Sequence, residues 1–143
     1  MDCIFCKIAN KEISSYIIEE NENHMAFLDI FPNTKGQVVI IPKKHLPSNF
    51  IQCDDKEFLK TLFFAKNISE KMIQKLNVKR VALVIEGTGI DHLHIKLYPI
   101  NNEEKEFKDE KVIFENYPGY ITTKLGPKAN DEELQEILKK FIS

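Results

Sequence analysis
Apolar and polar residues alternate without a break from His92 to Leu97, in the run Gly87-Thr88-Gly89-Ile90-Asp91-His92-Leu93-His94-Ile95-Lys96-Leu97-Tyr98-Pro99. Successive side chains of an extended chain point to opposite faces, so this alternation predicts a strand buried on one side. Leu93, Ile95 and Leu97 face a core. His92, His94 and Lys96 share the other face, roughly 7 Å apart at each step. Pro99 has no N–H to give a sheet ladder, so the strand ends there. Three basic side chains in a row, behind a Gly-x-Gly turn, form a candidate phosphate site. Ordinary polar residues on the wet face of a strand have the same spacing.

The rest of the chain supplies the frame. Tyr16 to Glu19, His24 to Asp29, Gln37 to Ile41 and Arg80 to Glu86 read as further strands. Asp54 with Glu57, and Asn130 with Glu133, read as capping boxes that open helices. After the first come Phe58, Leu62, Ala65, Met72 and Leu76 at helical spacing, with Leu59, Phe63 and Ile73 beside them. After the second come Leu134, Ile137, Leu138 and Phe141. Strands that are mostly sequence neighbours favour an antiparallel sheet. The expected fold class is therefore α+β, with about five strands and two main helices. A length of 143 residues suits one domain over 1–143. Residues 101–111 read as a charged, solvated loop. Residues 112–127 either cover a pocket mouth or pack on the sheet. His24 is expected at the surface and Cys53 at or inside the boundary of the core.

Composition narrows the function classes. Lys and Arg number 20 against 22 acidic residues, a net charge of −2, which argues against a nucleic-acid binder. A nucleotide pocket is still open, since it needs only two or three local donors. Apolar runs such as Val81-Ala82-Leu83-Val84-Ile85 have strand length, so neither a membrane span nor a signal peptide is read. Three cysteines, an odd count, do not suggest a disulfide framework, and a reducing cytoplasm is the expected setting. A neutral histidine held by a hydrogen bond at one ring nitrogen can attack phosphorus with the other. His94, central in its row, is the candidate nucleophile. Lys96 and the backbone N–H groups near Gly87 and Gly89 are candidates to hold the phosphate.

At these residues the chain resembles the histidine triad (HIT) family. That family's signature alternates three histidines with apolar residues and often ends in proline; here it stands as His92-Leu93-His94-Ile95-Lys96-Leu97-Tyr98-Pro99. Cys3-Ile4-Phe5-Cys6-Lys7-Ile8 is similar to the family's opening. Ala26-Phe27-Leu28-Asp29-Ile30-Phe31-Pro32 is similar to the segment with its ribose-binding acid. Lys35 to His45 is similar to its next strand and exit. The shared signature spans about residues 3–99, and 100–143 is an extension ending in a helix.

The resemblance implies a HIT-like fold and a nucleotide hydrolase or transferase working through a nucleotidyl-histidine. Its substrates would be purine nucleotide conjugates, either phosphoramidates or dinucleoside polyphosphates. His94 would attack the α-phosphorus, with Lys96 near the leaving group. Asp29 would accept from the ribose hydroxyls, and Phe5, Ile8, Phe27 and Ile30 would hold the base. Thr88 and Gly89, with Gly87, occupy the loop where the family often carries glutamine and a hydroxyl. That loop is shorter here, and the third histidine is Lys96. A lysine supplies charge but is a poor acid–base relay near neutrality. These departures favour one alternative, a catalytically weak or silent nucleotide-binding regulatory module; a second alternative is a zinc-stabilised interaction protein with no ligand. By the same resemblance, Cys3, Cys6, His45 and His92 would hold a structural zinc, and the protein would be a homodimer.

Overall fold
The computed structural model describes residues 2–101 and 113–142. The charged stretch read as a loop over 101–111 lies, Asn101 apart, outside the described residues. In chain order the elements are α1 (Ile4–Ala9), β1 (Ile17–Glu20), β2 (His24–Leu28), β3 (Val38–Pro42), α2 (Asp55–Lys75), β4 (Val81–Val84), β5 (Ile95–Pro99) and α3 (Asp131–Ile142). A short 3-10 turn, Phe50–Gln52, precedes α2. The strands form one five-stranded antiparallel sheet in the order β1-β2-β3-β5-β4. This is the α+β fold class expected from the sequence.

Period-two alternation divides β2 and β3 between two layers. Ala26, Leu28, Val38 and Ile40, with Ile95 and Leu97 of β5, pack under α2 and α3. Met25, Phe27, Val39 and Ile41 face the other way, against Phe5 and Ile8 of α1. Both faces are covered, so these two strands read as continuous apolar runs. Lys96 lies opposite Val39 on one side and Val84 on the other, which puts it on the α1 face of the sheet. The site is built on that face.

Both helix starts match their caps. The Asp54 carboxylate accepts from Glu57 N at 3.1 Å, and the Asn130 side chain accepts from Glu133 N at 2.8 Å. The inner face of α2 is rotated from the expected one. Thr61, Phe64, Ala65, Ile68 and Met72 are buried, whereas Leu59 and Phe63 are 61% and 65% exposed. Ile73 is exposed too.

His92 and His94 do not lie on a strand. The register that pairs Ile40 with Ile95 would bring Pro42 opposite Leu93. Pro42 has no N–H to extend the ladder. Leu93 N instead donates to Leu46 O at 2.9 Å, and the alternation continues in burial only. Leu93, Ile95 and Leu97 are fully buried.

His24 corrects the expectation of a surface residue: it is 6% exposed at the start of β2. Its ring stacks on Phe64, and its Nε2 lies 2.9 Å from Thr61 Oγ1. The Thr61 hydroxyl donates to Glu57 O, so Nε2–H is the donor to it. Burial holds the His24 imidazole below its ordinary range; Glu57 opposes this and Lys60 adds to it. A folded pKa below the unfolded one means that the unfolded chain takes up more protons. Stability therefore falls as pH drops through the unfolded value, about 6.5, toward the folded one. In thermal melts from pH 7.5 to 5, His24→Gln is expected to lose less stability than the parent. An unchanged pH dependence contradicts this role.

Candidate active site
The site rests on the loop between β4 and β5, which is sewn to the segment after β3. The Ser48 hydroxyl donates to Gly87 O at 2.9 Å, and Ser48 N donates to the Asp91 carboxylate at 3.1 Å. Gly87 has φ +79°, and a Cβ there would meet Ser48 O at 3.0 Å, so both backbone angle and space ask for glycine. Cys53 is buried nearby, its thiol donating to Pro47 O.

His92 and His94 are buried at 0% and 7% exposure, which removes the reading of polar residues on a wet face. Their ring nitrogens are assigned by their carbonyl partners, which can only accept. His92 Nε2–H donates to Pro42 O at 2.8 Å, leaving Nδ1 with a free lone pair. His94 Nδ1–H donates to His92 O at 2.7 Å, leaving Nε2 with one. Phe5 packs against both, its ring centre 5.1 Å from that of His94 and 5.9 Å from that of His92. Burial pushes the His94 imidazole below its ordinary range, and Lys96 adds to this against the pull of Glu86 and Asp29.

His94 lines a cavity of about 430 Å³. Phe5, Phe27, Asp29, Ile30, Thr88, Gly89 and Lys96 line it too. Two expected pocket residues do not. Ile8 is buried behind Phe5 in the core cluster beneath α1, and Gly87 faces Ser48. Asp29 is fixed by Phe31 N at 2.8 Å and by the Gln37 amide at 2.7 Å, one on each oxygen. Each oxygen keeps a lone pair for a further donor. Burial raises the Asp29 carboxyl, while the Phe31 N–H, Lys96 and Gln37 act against this.

Sequence reasoning missed the outer wall. Glu86, Thr123 and Leu125 line the cavity. The Asn33 amide donates to Thr122 O at 2.6 Å and Lys124 O at 2.8 Å, and Gly126 N donates to Phe31 O at 3.1 Å. A Cβ on Gly126 would sit 1.9 Å from Pro32 O, so this irregular segment lies hard against the loop after β2. Both readings open for this segment, residues 112–127, are seen: Thr123 and Leu125 line the pocket, and Ile113 packs against the core under the sheet. No local periodicity marks it; the turn signal Tyr117-Pro118-Gly119-Tyr120 was the only cue.

Cys3, Cys6, His45 and His92 converge behind the cavity, their ligand atoms all within 4.8 Å of one another. Cys3 caps α1, and its sulfur accepts from Cys6 N at 3.4 Å. The His92 Nδ1 atom lies 3.4 Å from Cys3 Sγ, 3.5 Å from Cys6 Sγ and 3.2 Å from His45 Nδ1. Cys6 Sγ and His45 Nδ1 are 3.2 Å apart. A tetrahedron with zinc bonds of about 2.0 Å to nitrogen and 2.3 Å to sulfur has edges of roughly 3.3–3.8 Å. The donor set fits zinc in chemistry, the four edges given above lie close to that spacing, and the His92–Pro42 bond orients its ligand ring.

A five-stranded antiparallel sheet carrying a buried His-x-His beside a nucleotide-sized cavity defines the class. The chain belongs to the HIT family: the HIT domain model matches residues 10–102. It is 34% identical over 140 residues to an uncharacterized HIT-like protein of Mycoplasma genitalium, covering 94% of this chain and 91% of that one. It is 29% identical over 140 residues to the adenosine 5'-monophosphoramidase of Schizosaccharomyces pombe, covering 97% of this chain and 100% of that one. A Zn-bound histidine triad family protein of Mycobacterium smegmatis shares the fold, with a TM-score of 0.71 at 19% identity, covering 99% of this chain and 94% of that one. Among the described residues, no helix is long and apolar enough to cross a membrane.

Proposed function
We propose that this protein is a nucleotide hydrolase that cleaves at the α-phosphate of a purine nucleotide conjugate, with His94 as nucleophile. One observation carries the reading: the His94 Nδ1–H is held by His92 O at 2.7 Å, in a wall that also presents Asp29 and Lys96. Nε2 forms the bond to phosphorus as the leaving group departs with its electron pair, and water then releases the nucleoside monophosphate. Lys96 and the N–H of Gly89 stabilise charge on the phosphate oxygens. Asp29 accepts from the ribose, and Phe5, Phe27 and Ile30 flank the base. The S. pombe phosphoramidase, similar over its whole length, supports this substrate chemistry. Incubation with adenosine 5'-phosphoramidate tests it: AMP is expected, and no turnover contradicts it. Lys96 at the third triad position favours a second reading, a silent nucleotide-binding module, which would bind AMP without turnover.

Cys3, Cys6, His45 and His92 would hold a structural zinc. Four protein ligands close the coordination shell, so the metal would tie α1 to the loop before β5 and not activate water. The zinc in the M. smegmatis fold neighbour supports this. The whole chain forms one domain in this reading, since Leu134, Ile137 and Phe141 of α3 share the core under the sheet. A second copy would cover β4, an edge strand without a charge or proline to guard it and carrying the exposed Leu83, together with the exposed Leu59 and Phe63 of α2. Phe63→Asp is then expected to sediment as a monomer where the parent is a dimer. A monomeric parent contradicts the pairing. Cytoplasmic residence is proposed from the reduced cysteine set alone.

A further inference from the structure
The cavity carries a charge imbalance that the signature residues do not explain. Among the described residues, Lys96 is the single lysine or arginine in its lining, against two carboxylates, Asp29 and Glu86. Asp29 already accepts from the Phe31 N–H and the Gln37 amide, and its remaining lone pairs are assigned above to the ribose. Glu86 has no such buried partners. Its carboxylate is gripped from outside the family-matched region, by the Thr123 hydroxyl at 2.7 Å. Thr123 is in turn fixed from both sides, because Asn33 holds the carbonyls of Thr122 and Lys124.

We infer that Glu86, positioned by Thr123, determines leaving-group specificity: it disfavours anionic leaving groups and favours those that carry positive charge, such as a cationic alkylamine. The inference rests on the nucleotide-binding reading of the cavity. The α-phosphate of a nucleotide brings negative charge that Lys96 matches. A second and third phosphate beyond it bring further negative charge and meet Glu86, with no other lysine or arginine among the described lining residues to balance them. The Thr123 and Thr88 hydroxyls hold the Glu86 carboxyl below the usual range, so it stays ionised near neutrality. Glu86 is exposed, so its effect is screened by water and salt and amounts to a preference, not an absolute filter.

Two ligands that are not turned over read this directly. ADP places a phosphate, and an adenosine sulfamate bearing an aminoalkyl chain places an ammonium, where the leaving group sits. The ratio of their dissociation constants is measured by calorimetry for the full chain and for E86Q, E86K and T123V. E86Q is expected to shift the ratio toward ADP by about fivefold, E86K by more, and T123V by less in the same direction. The shift shrinks as salt is raised. If both ligands bind and the ratio does not move, or E86K weakens both equally, Glu86 is structural and the inference is overturned. If neither ligand binds the parent protein, the nucleotide reading itself has failed, and the inference falls with it.

Discussion

His94→Ala is expected to lower AMP release from adenosine phosphoramidate by on the order of 10³-fold or more, while AMP affinity changes by less than about tenfold. The asymmetry follows from where the ring sits. His94 contributes one wall of a cavity that Phe5, Phe27, Ile30 and Asp29 also line, and in the proposed reading these four hold the base and ribose. Those groups bind substrate and transition state alike, so they survive the truncation. The covalent route does not, because no other imidazole shares the cavity: His92 is turned away, its Nε2 donating to Pro42 O and its Nδ1 facing Cys3 and Cys6. Steady-state rates together with equilibrium binding check this. A variant that keeps most of its turnover excludes His94 as the nucleophile.

Cys3→Ser is expected to reduce bound zinc from about one per chain to near zero and to lower the melting temperature by roughly 10 °C or more. The four donors come from α1, the exit of β3 and the loop before β5. Without a metal, two sulfurs and two imidazoles crowd within 4.8 Å, and the three segments keep only the His92–Pro42 and Leu93–Leu46 hydrogen bonds and the packing of Phe5 on His92 among the ties described above. A chelator should lower the melting temperature of the parent by a similar amount and leave Cys3→Ser unmoved. His92 O also anchors the His94 ring, so metal loss should reduce activity as well. Equal metal content in the two proteins would remove the proposed zinc site.

Much of the frame was legible because it is written locally. A period-two run marked β5, short apolar runs marked the other strands, and Asp54 and Asn130 marked both long helices by the caps they form. The metal donors were recoverable only through family resemblance, since residues 89 apart in sequence, Cys3 and His92, carry no local sign of meeting. What was illegible depends on long-range contacts. His24 reads as a turn residue until Thr61 and Phe64 of α2 close over it. The alternation at His92 and His94 reads as strand because periodicity cannot see that Pro42 would stand opposite Leu93. The outer wall at Thr123 and Leu125 is held by Asn33, about ninety residues upstream, through backbone carbonyls that every residue type offers. Such bonds leave no compositional trace.

The stereochemical course at phosphorus tests the role of His94 most directly. Hydrolysis of an adenosine phosphoramidate made chiral at the α-phosphorus with sulfur, run in oxygen-18 water, gives a thiophosphate whose configuration can be read. Two in-line displacements, first by His94 and then by water, give net retention. Inversion would mean that water attacks the substrate in one step, and would contradict a nucleotidyl-histidine intermediate.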